Sequence, residues 1–152
     1  MMAALPIACG GFLLAVLWFD LMFDVQVRRH REDDLPEPVL ASIAAYYRRV
    51  TTDARPMSWA VAVVMAIGVL ALLRQWLSGS APVWASLGSL LLAAVPIALA
   101  LGRVLPNAER LGSRRDPIAV QSALARSIWR DHLFCLAAIA GFLALQLSAV
   151  GF

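Results

Sequence analysis

Two carboxylates lie inside the first apolar stretch of the chain, in the segment Trp18-Phe19-Asp20-Leu21-Met22-Phe23-Asp24. Residues four apart share one face of a helix, so Asp20 and Asp24 are expected to point in the same direction. Ionisable groups are rare in membrane-spanning segments because hydrocarbon does not solvate them, and those present are functional candidates. The structural alternative for Asp20 is an ion pair with Arg103 that locks two helices together.

A second polar group lies at the start of the last apolar stretch, in Trp129-Arg130-Asp131-His132. Arg103 and Asn107 lie at the end of the preceding apolar stretch. If the helices pack as a bundle, these side chains meet the two aspartates at one end of it. We predict catalytic roles for Asp20, Asp24, His132 and Asn107, and substrate binding by Arg103, Trp18 and Trp129.

Two carboxylates and an imidazole are compatible with three kinds of chemistry. They can hold a non-haem metal ion or act as general acid and base, and a set of aspartate, arginine and histidine can relay protons. The sequence leaves the metal and any cofactor unknown, because the spacing lacks the second histidine of a typical metal site. Tyr46 and Tyr47 are interpreted as anchors of an amphipathic helix rather than as catalytic groups.

The elements that would position these residues follow from the distribution of charge. The chain is 61% hydrophobic and 15% charged, whereas soluble domains are about half apolar and about a quarter charged. Uncharged stretches approach the ~20 residues that cross a bilayer as a helix. We predict an all-α integral membrane four-helix bundle, one domain over residues 1–152, with spans near 4–25, 57–76, 83–104 and 132–151.

The basic residues predict the topology of this bundle. All 13 are arginine, and 11 of them lie in the predicted loops 26–56 and 105–131. Arg103 lies at the loop end of the third span, on the same side, and only Arg74 lies towards the other side. The positive-inside rule then places both loops in the cytoplasm and both termini outside, in a bacterial-type inner membrane. The expected partner is the lipid bilayer. Nucleic acid is excluded because the arginines follow the membrane sides rather than a binding stripe.

The two predicted loops also contain helical patterns. Leu40, Ile43 and Tyr47 recur at helical spacing after Pro36, which predicts a short amphipathic helix on the inner leaflet. Asp116-Pro117 is a typical helix start. From there the sequence predicts one long helix that includes the fourth span.

The second half of the chain resembles a known family in two places, Pro106-Asn107-Ala108-Glu109-Arg110-Leu111 and Trp129-Arg130-Asp131-His132. Both are similar to segments of the anthrone-oxygenase-like family of small four-span membrane proteins. The resemblance implies a four-helix bundle that oxygenates polycyclic aromatic anthrones without an evident haem or flavin. It also implies site roles for Asn107, Trp129 and His132.

Two functions of different class remain open at this point. One is a redox enzyme, such as an oxygenase, that acts on a hydrophobic small molecule at a polar site near the cytoplasmic face. The alternative is a non-catalytic accessory or structural subunit of a larger respiratory or photosynthetic membrane complex, with neighbouring subunits as partners. The costly carboxylates in the first span favour the enzyme slightly.

Overall fold

A computed structural model describes residues 4–30 and 34–150, apart from the side chains of Arg55 and Val150. Within these ranges the chain is helical and has no strand, which confirms the all-α class. The helices are α1 Ala4–Asp24, α2 Glu37–Arg48, α3 Arg55–Leu77, α4 Val83–Leu99, α5 Leu105–Ser113 and α6 Ile118–Val150. A 3-10 turn, Val25–Arg29, extends α1, and π-helical turns follow α2 and α4 at Arg49–Asp53 and Ala100–Val104.

Four segments are long and apolar enough to cross a membrane, namely Ala4–Arg29, Pro56–Leu77, Val83–Ser113 and Ile118–Ala149. The most apolar window of Pro56–Leu77 is only 6% buried. Its side chains therefore point mostly away from the protein, as in a helix surrounded by lipid.

The helices extend further than the predicted spans. The predicted loop 105–131 is mostly α5 and the first turns of α6, because charged residues that end an apolar stretch do not end a helix. The long helix expected after Asp116-Pro117 is α6. The last residue of the predicted fourth span, residue 151, lies outside the described residues.

The long helices pack in a ring in which α1 and α4 each contact α3 and α6. A Cβ atom on Gly10 would lie 2.6 Å from a ring atom of Phe142, so α1 and α6 approach closely at this glycine. Near Arg74, Gln146 Nε2 donates a hydrogen bond to Ser89 Oγ at 2.8 Å. The amides of Gln146 and Gln75 also face each other. These buried polar contacts connect α3, α4 and α6.

The opposite end of the bundle, rich in arginine, contains the largest hydrophobic core of the described residues. Leu40 and Ile43 of α2 are fully buried there against Leu111 of α5 and Ile128 of α6. Each such side chain contributes about 1.5–3 kcal/mol by leaving water. The apolar face of α2 thus packs on protein, whereas the sequence placed it on the inner leaflet. The spacing of Leu40 and Ile43 predicts that α2 has an apolar face. It does not show whether lipid or protein contacts that face.

Candidate functional site

A buried contact between α1 and α6 forms the centre of the site. His132 Nδ1 lies 2.7 Å from Asp24 Oδ2, and the exposed fractions of the two side chains are 6% and 0%. A carboxylate only accepts hydrogen bonds, so Nδ1 carries the proton and donates it to Asp24. This hydrogen bond fixes the tautomer and the orientation of the ring, and it directs Nε2 towards Asp20.

Two adjacent tyrosines of α2 hold the carboxylates from another side. The Tyr47 hydroxyl donates to Asp24 Oδ1 at 2.6 Å, and the Tyr46 hydroxyl donates to Asp20 Oδ1 at 2.6 Å. Burial raises the pKa of both tyrosines, and the neighbouring carboxylates raise it further. Both phenols therefore stay protonated near neutral pH and act as hydrogen-bond donors. We call Asp20, Asp24, Tyr46, Tyr47 and His132 the Asp–His–Tyr cluster.

Asp20 and His132 face each other across a gap within this cluster. Asp20 Oδ2 lies 3.9 Å from His132 Nε2, which is too far for a direct hydrogen bond. The other oxygen of Asp20 accepts from Tyr46. A ligand oxygen or nitrogen atom beside this pair, in the cavity, can lie at hydrogen-bond distance from both Oδ2 and Nε2.

The Asp–His–Tyr cluster closes one end of a cavity with a volume of about 240 Å³. The rest of the wall is chiefly aliphatic and includes Leu13 of α1, Val61 of α3, Ile97 of α4 and Ile139 of α6. Cavities of this kind, apolar with a few convergent polar groups, are the usual form of small-molecule sites. The chemistry-bearing side chains of α1, α2 and α6 thus meet at one defined position.

The cavity reaches the surface at an apolar part of its wall. Met57 at the start of α3, Leu101 in the turn after α4 and Leu105 in α5 line it and are 55%, 58% and 38% exposed. These exposed apolar residues border the opening between α3 and the end of α4. The part of the wall that reaches the surface thus includes apolar side chains that a hydrophobic molecule can contact.

Arg103 forms an ion pair with Asp131 and not with Asp20, the partner considered from the sequence. Its Nε is 3.1 Å from Asp131 Oδ2, and its Nη2 donates to Ser127 Oγ at 2.9 Å. The π-helical turn that carries Arg103 contacts α6, so the nearest acid in register is Asp131. Among the described residues, the carboxylate of Asp20 faces Tyr46 and His132 instead.

The other predicted site residues lie outside the cavity wall. Asn107 is half-buried on α5, one residue before Ala108, which does line the cavity. Trp18 is 63% exposed on α1. Trp129 packs against the hydrophobic core that α2 covers. The structure therefore brings Asp20, Asp24 and His132 together, while the roles of Asn107, Trp18 and Trp129 remain predictions.

The structure was also compared with the metal site that the sequence left open, over residues 4–30 and 34–150. No group of three His, Cys, Asp or Glu side chains there is arranged to hold a metal ion. His132 Nδ1 is occupied by Asp24. The hydrogen bond to Asp24 leaves His132 Nε2, opposite Asp20 Oδ2, as the ring atom that can act as acid or base.

Sequence reasoning missed the role of the two tyrosines. Their hydroxyls complete the hydrogen bonds of both buried carboxylates, although the sequence indicated only membrane anchoring. A usable signal was present, since two adjacent phenols on an amphipathic helix followed two acids in an apolar helix. Buried carboxylates need donors, and Tyr46 and Tyr47 were candidates for them.

Compared with family models, curated proteins and solved structures, the chain matches none. The resemblance of its second half to the anthrone-oxygenase-like family thus stays a prediction.

Proposed function

We propose that this chain is a multi-pass membrane enzyme that performs proton-transfer chemistry on a hydrophobic small molecule. The observation that carries the proposal is the meeting of the buried Asp–His–Tyr cluster with an apolar cavity. Ionisable groups in a membrane segment are costly, so a cluster of them at the end of a cavity favours a chemical role.

The roles of the cluster residues follow from their contacts. Asp24 and Tyr47 hold His132, because Asp24 accepts from Nδ1 and Tyr47 donates to Asp24. His132 Nε2 and Asp20 Oδ2 are the two atoms that exchange protons with a bound molecule. An imidazole held by a carboxylate is a common general base, and the paired acid can return the proton.

The oxygenation implied by the family resemblance is compatible with this site as a finer proposal. Dioxygen would be the oxidant in such a reaction, which replaces two C–H bonds of the anthrone by one C=O bond and releases the second oxygen atom as water. Asp20 or His132 would first remove a proton from the hydrophobic substrate. The residues of this chain thus supply binding, orientation and proton transfer, and the apolar wall excludes water.

We also propose the topology in which the enzyme works. The arginine distribution favours a bacterial-type inner membrane with α2 and α5 at the cytoplasmic face and both termini outside. The Asp–His–Tyr cluster then lies near the cytoplasmic boundary of the bilayer. Substrate enters from the lipid through the opening bordered by Met57, Leu101 and Leu105.

Turnover tests this proposal directly. The wild-type protein in lipid nanodiscs is incubated, in air, with a lipid-soluble extract of host membranes, and the small molecules are compared by mass spectrometry. We expect at least one compound to be consumed by wild type and by Asp53→Asn, whose side chain is 57% exposed. The variants Asp20→Asn and His132→Gln should not consume this compound. Identical profiles for wild type and His132→Gln, or a stoichiometric protein partner covering the opening, would favour the non-catalytic subunit instead.

A further inference from the structure

At the end of the cavity formed by the Asp–His–Tyr cluster, one hydrogen-bond acceptor is left for a ligand. The hydroxyl protons of Tyr46 and Tyr47 are already donated to carboxylates, as is the Nδ1 proton of His132. Asp20 Oδ2 has no hydrogen-bond donor within the described residues, and it faces His132 Nε2 at 3.9 Å. His132 is more than nine-tenths buried and lines the cavity. A ligand that brings hydrogen-bond donors is therefore favoured at this position.

The same end of the cavity is acidic. With both aspartates ionised and the proton of His132 on Nδ1, the cluster carries two negative charges. The described residues that line the cavity include no arginine or lysine. Arg103 is paired with Asp131. Because charges interact strongly away from bulk water, the site gains from a positive charge on its ligand.

We propose that the site binds a hydrophobic amine in its ammonium form, with the nitrogen in the cavity at hydrogen-bond distance from both Asp20 Oδ2 and His132 Nε2 and the apolar body along the aliphatic wall. This inference rests on the proposed function, because it names the substrate class for the same cavity. An ammonium group supplies several N–H donors and a positive charge at once. An alcohol brings no charge, and a carboxylate would be repelled by Asp20.

The proposal also predicts competition with protons. An ammonium ion and a proton both bind at Asp20, so lowering the pH weakens amine binding. The titratable groups around Asp20 belong to three helices and are Asp24 of α1, Tyr46 and Tyr47 of α2, and His132 and Cys135 of α6.

Four probes with one skeleton test the proposal. Phenylbutylamine carries the ammonium group, pentylbenzene replaces it with a methyl group, phenylbutanol has a hydroxyl group and phenylbutane sulfonate is an anion. Their affinities for the full-length protein in neutral-lipid nanodiscs are measured by calorimetry, with empty nanodiscs as the partition reference. Wild type, Asp20→Asn and the control Asp53→Asn are compared, and circular dichroism verifies their helix content.

We expect wild type and Asp53→Asn to bind the amine at least about tenfold more tightly than pentylbenzene or the sulfonate. Asp20→Asn should lose this preference, and wild-type affinity for the amine should fall as the pH is lowered. The pH series needs no variant, so it decides the question even if Asp20→Asn misfolds. Equal binding of amine and pentylbenzene, or tighter binding of phenylbutanol, overturns the amine class but leaves the hydrophobic site. If folded wild type binds none of the four probes, both this inference and the proposed function fail.

Discussion

His132 Nδ1 and Asp24 Oδ2 lie 2.7 Å apart although 108 residues separate them in the chain. This contact joins the first and last long helices at the position where the cavity ends. It also determines which ring nitrogen of His132 faces Asp20. The hydrogen bond is thus both a packing contact and the element that positions the proposed base.

Replacing Asp24 by asparagine should weaken the bundle. The substitution keeps the size of the side chain but removes the charge that accepts from His132 and Tyr47. Hydrogen bonds to charged groups contribute about 1.5–3 kcal/mol, so the free energy of unfolding should fall by roughly that amount. The measurement is reversible unfolding in mixed micelles. Asp53→Asn is the matched control, and equal stability of both variants would show that the Asp24 contact contributes little.

Gly112 should be intolerant of a side chain. A Cβ atom there would lie 2.8 Å from the backbone nitrogen of Arg48, so Gly112→Ala must push α2 away from α5. Nothing lies within 4 Å of a Cβ on Gly11 in α1, which makes Gly11→Ala the control. We expect only Gly112→Ala to speed amide hydrogen exchange in α2. Slow exchange in both variants would mean that α2 docks without this close approach.

The paired amides of Gln75 and Gln146 should stabilise the other end of the bundle. Both side chains are buried, so each needs its partner for hydrogen bonding. Pair energies between membrane helices average about 0.6 kcal/mol, with a maximum of about 1.7. A double-mutant cycle of Gln75→Leu and Gln146→Leu should give a coupling energy in this range. Strict additivity of the two substitutions would contradict the pairing.

Acid should weaken the connection between α5 and α6. Two hydrogen bonds from the Arg110 guanidinium, at 2.7 and 2.8 Å, lower the pKa of Asp116 from its usual 3.8. A lowered carboxyl pKa adds stability above the unfolded-state pKa, and this stability is lost as the pH falls through the folded-state value. The melting temperature of wild type should therefore contain a component that decreases below about pH 3.8. Asp116→Asn and Arg110→Gln should each remove this component, and an unchanged acid profile in both would contradict the pair.

The sequence was most informative about the long helices. Their apolar stretches exceed what a soluble core requires, so length and hydropathy predict four helices able to cross a membrane. The position of α2 was less accessible. Leu40 and Ile43 have the spacing of a buried helix face, but lipid and protein interiors are both apolar. Only the packing against Leu111 and Ile128 shows which one covers this face.

The site shows the same division between local and long-range information. The four-residue spacing places Asp20 and Asp24 on one helix face, which is a local property. Their phenol partners are 26 and 23 residues away, at Tyr46 and Tyr47. Arg103 pairs with Asp131 rather than Asp20 because its helical turn packs against α6. Such pairings depend on how the helices dock, which periodicity does not specify.

Histidine nitrogen NMR tests most directly whether the cavity delivers a ligand to the Asp–His–Tyr cluster. The chain has only two histidines, so ¹⁵N-histidine labelling gives a simple spectrum, and His132→Gln assigns it. On addition of whichever phenylbutyl probe binds, we predict that the His132 Nε2 signal shifts. The His132 Nδ1 signal, held by Asp24, and both His30 signals should stay in place. A bound probe that leaves His132 Nε2 unchanged would contradict the account.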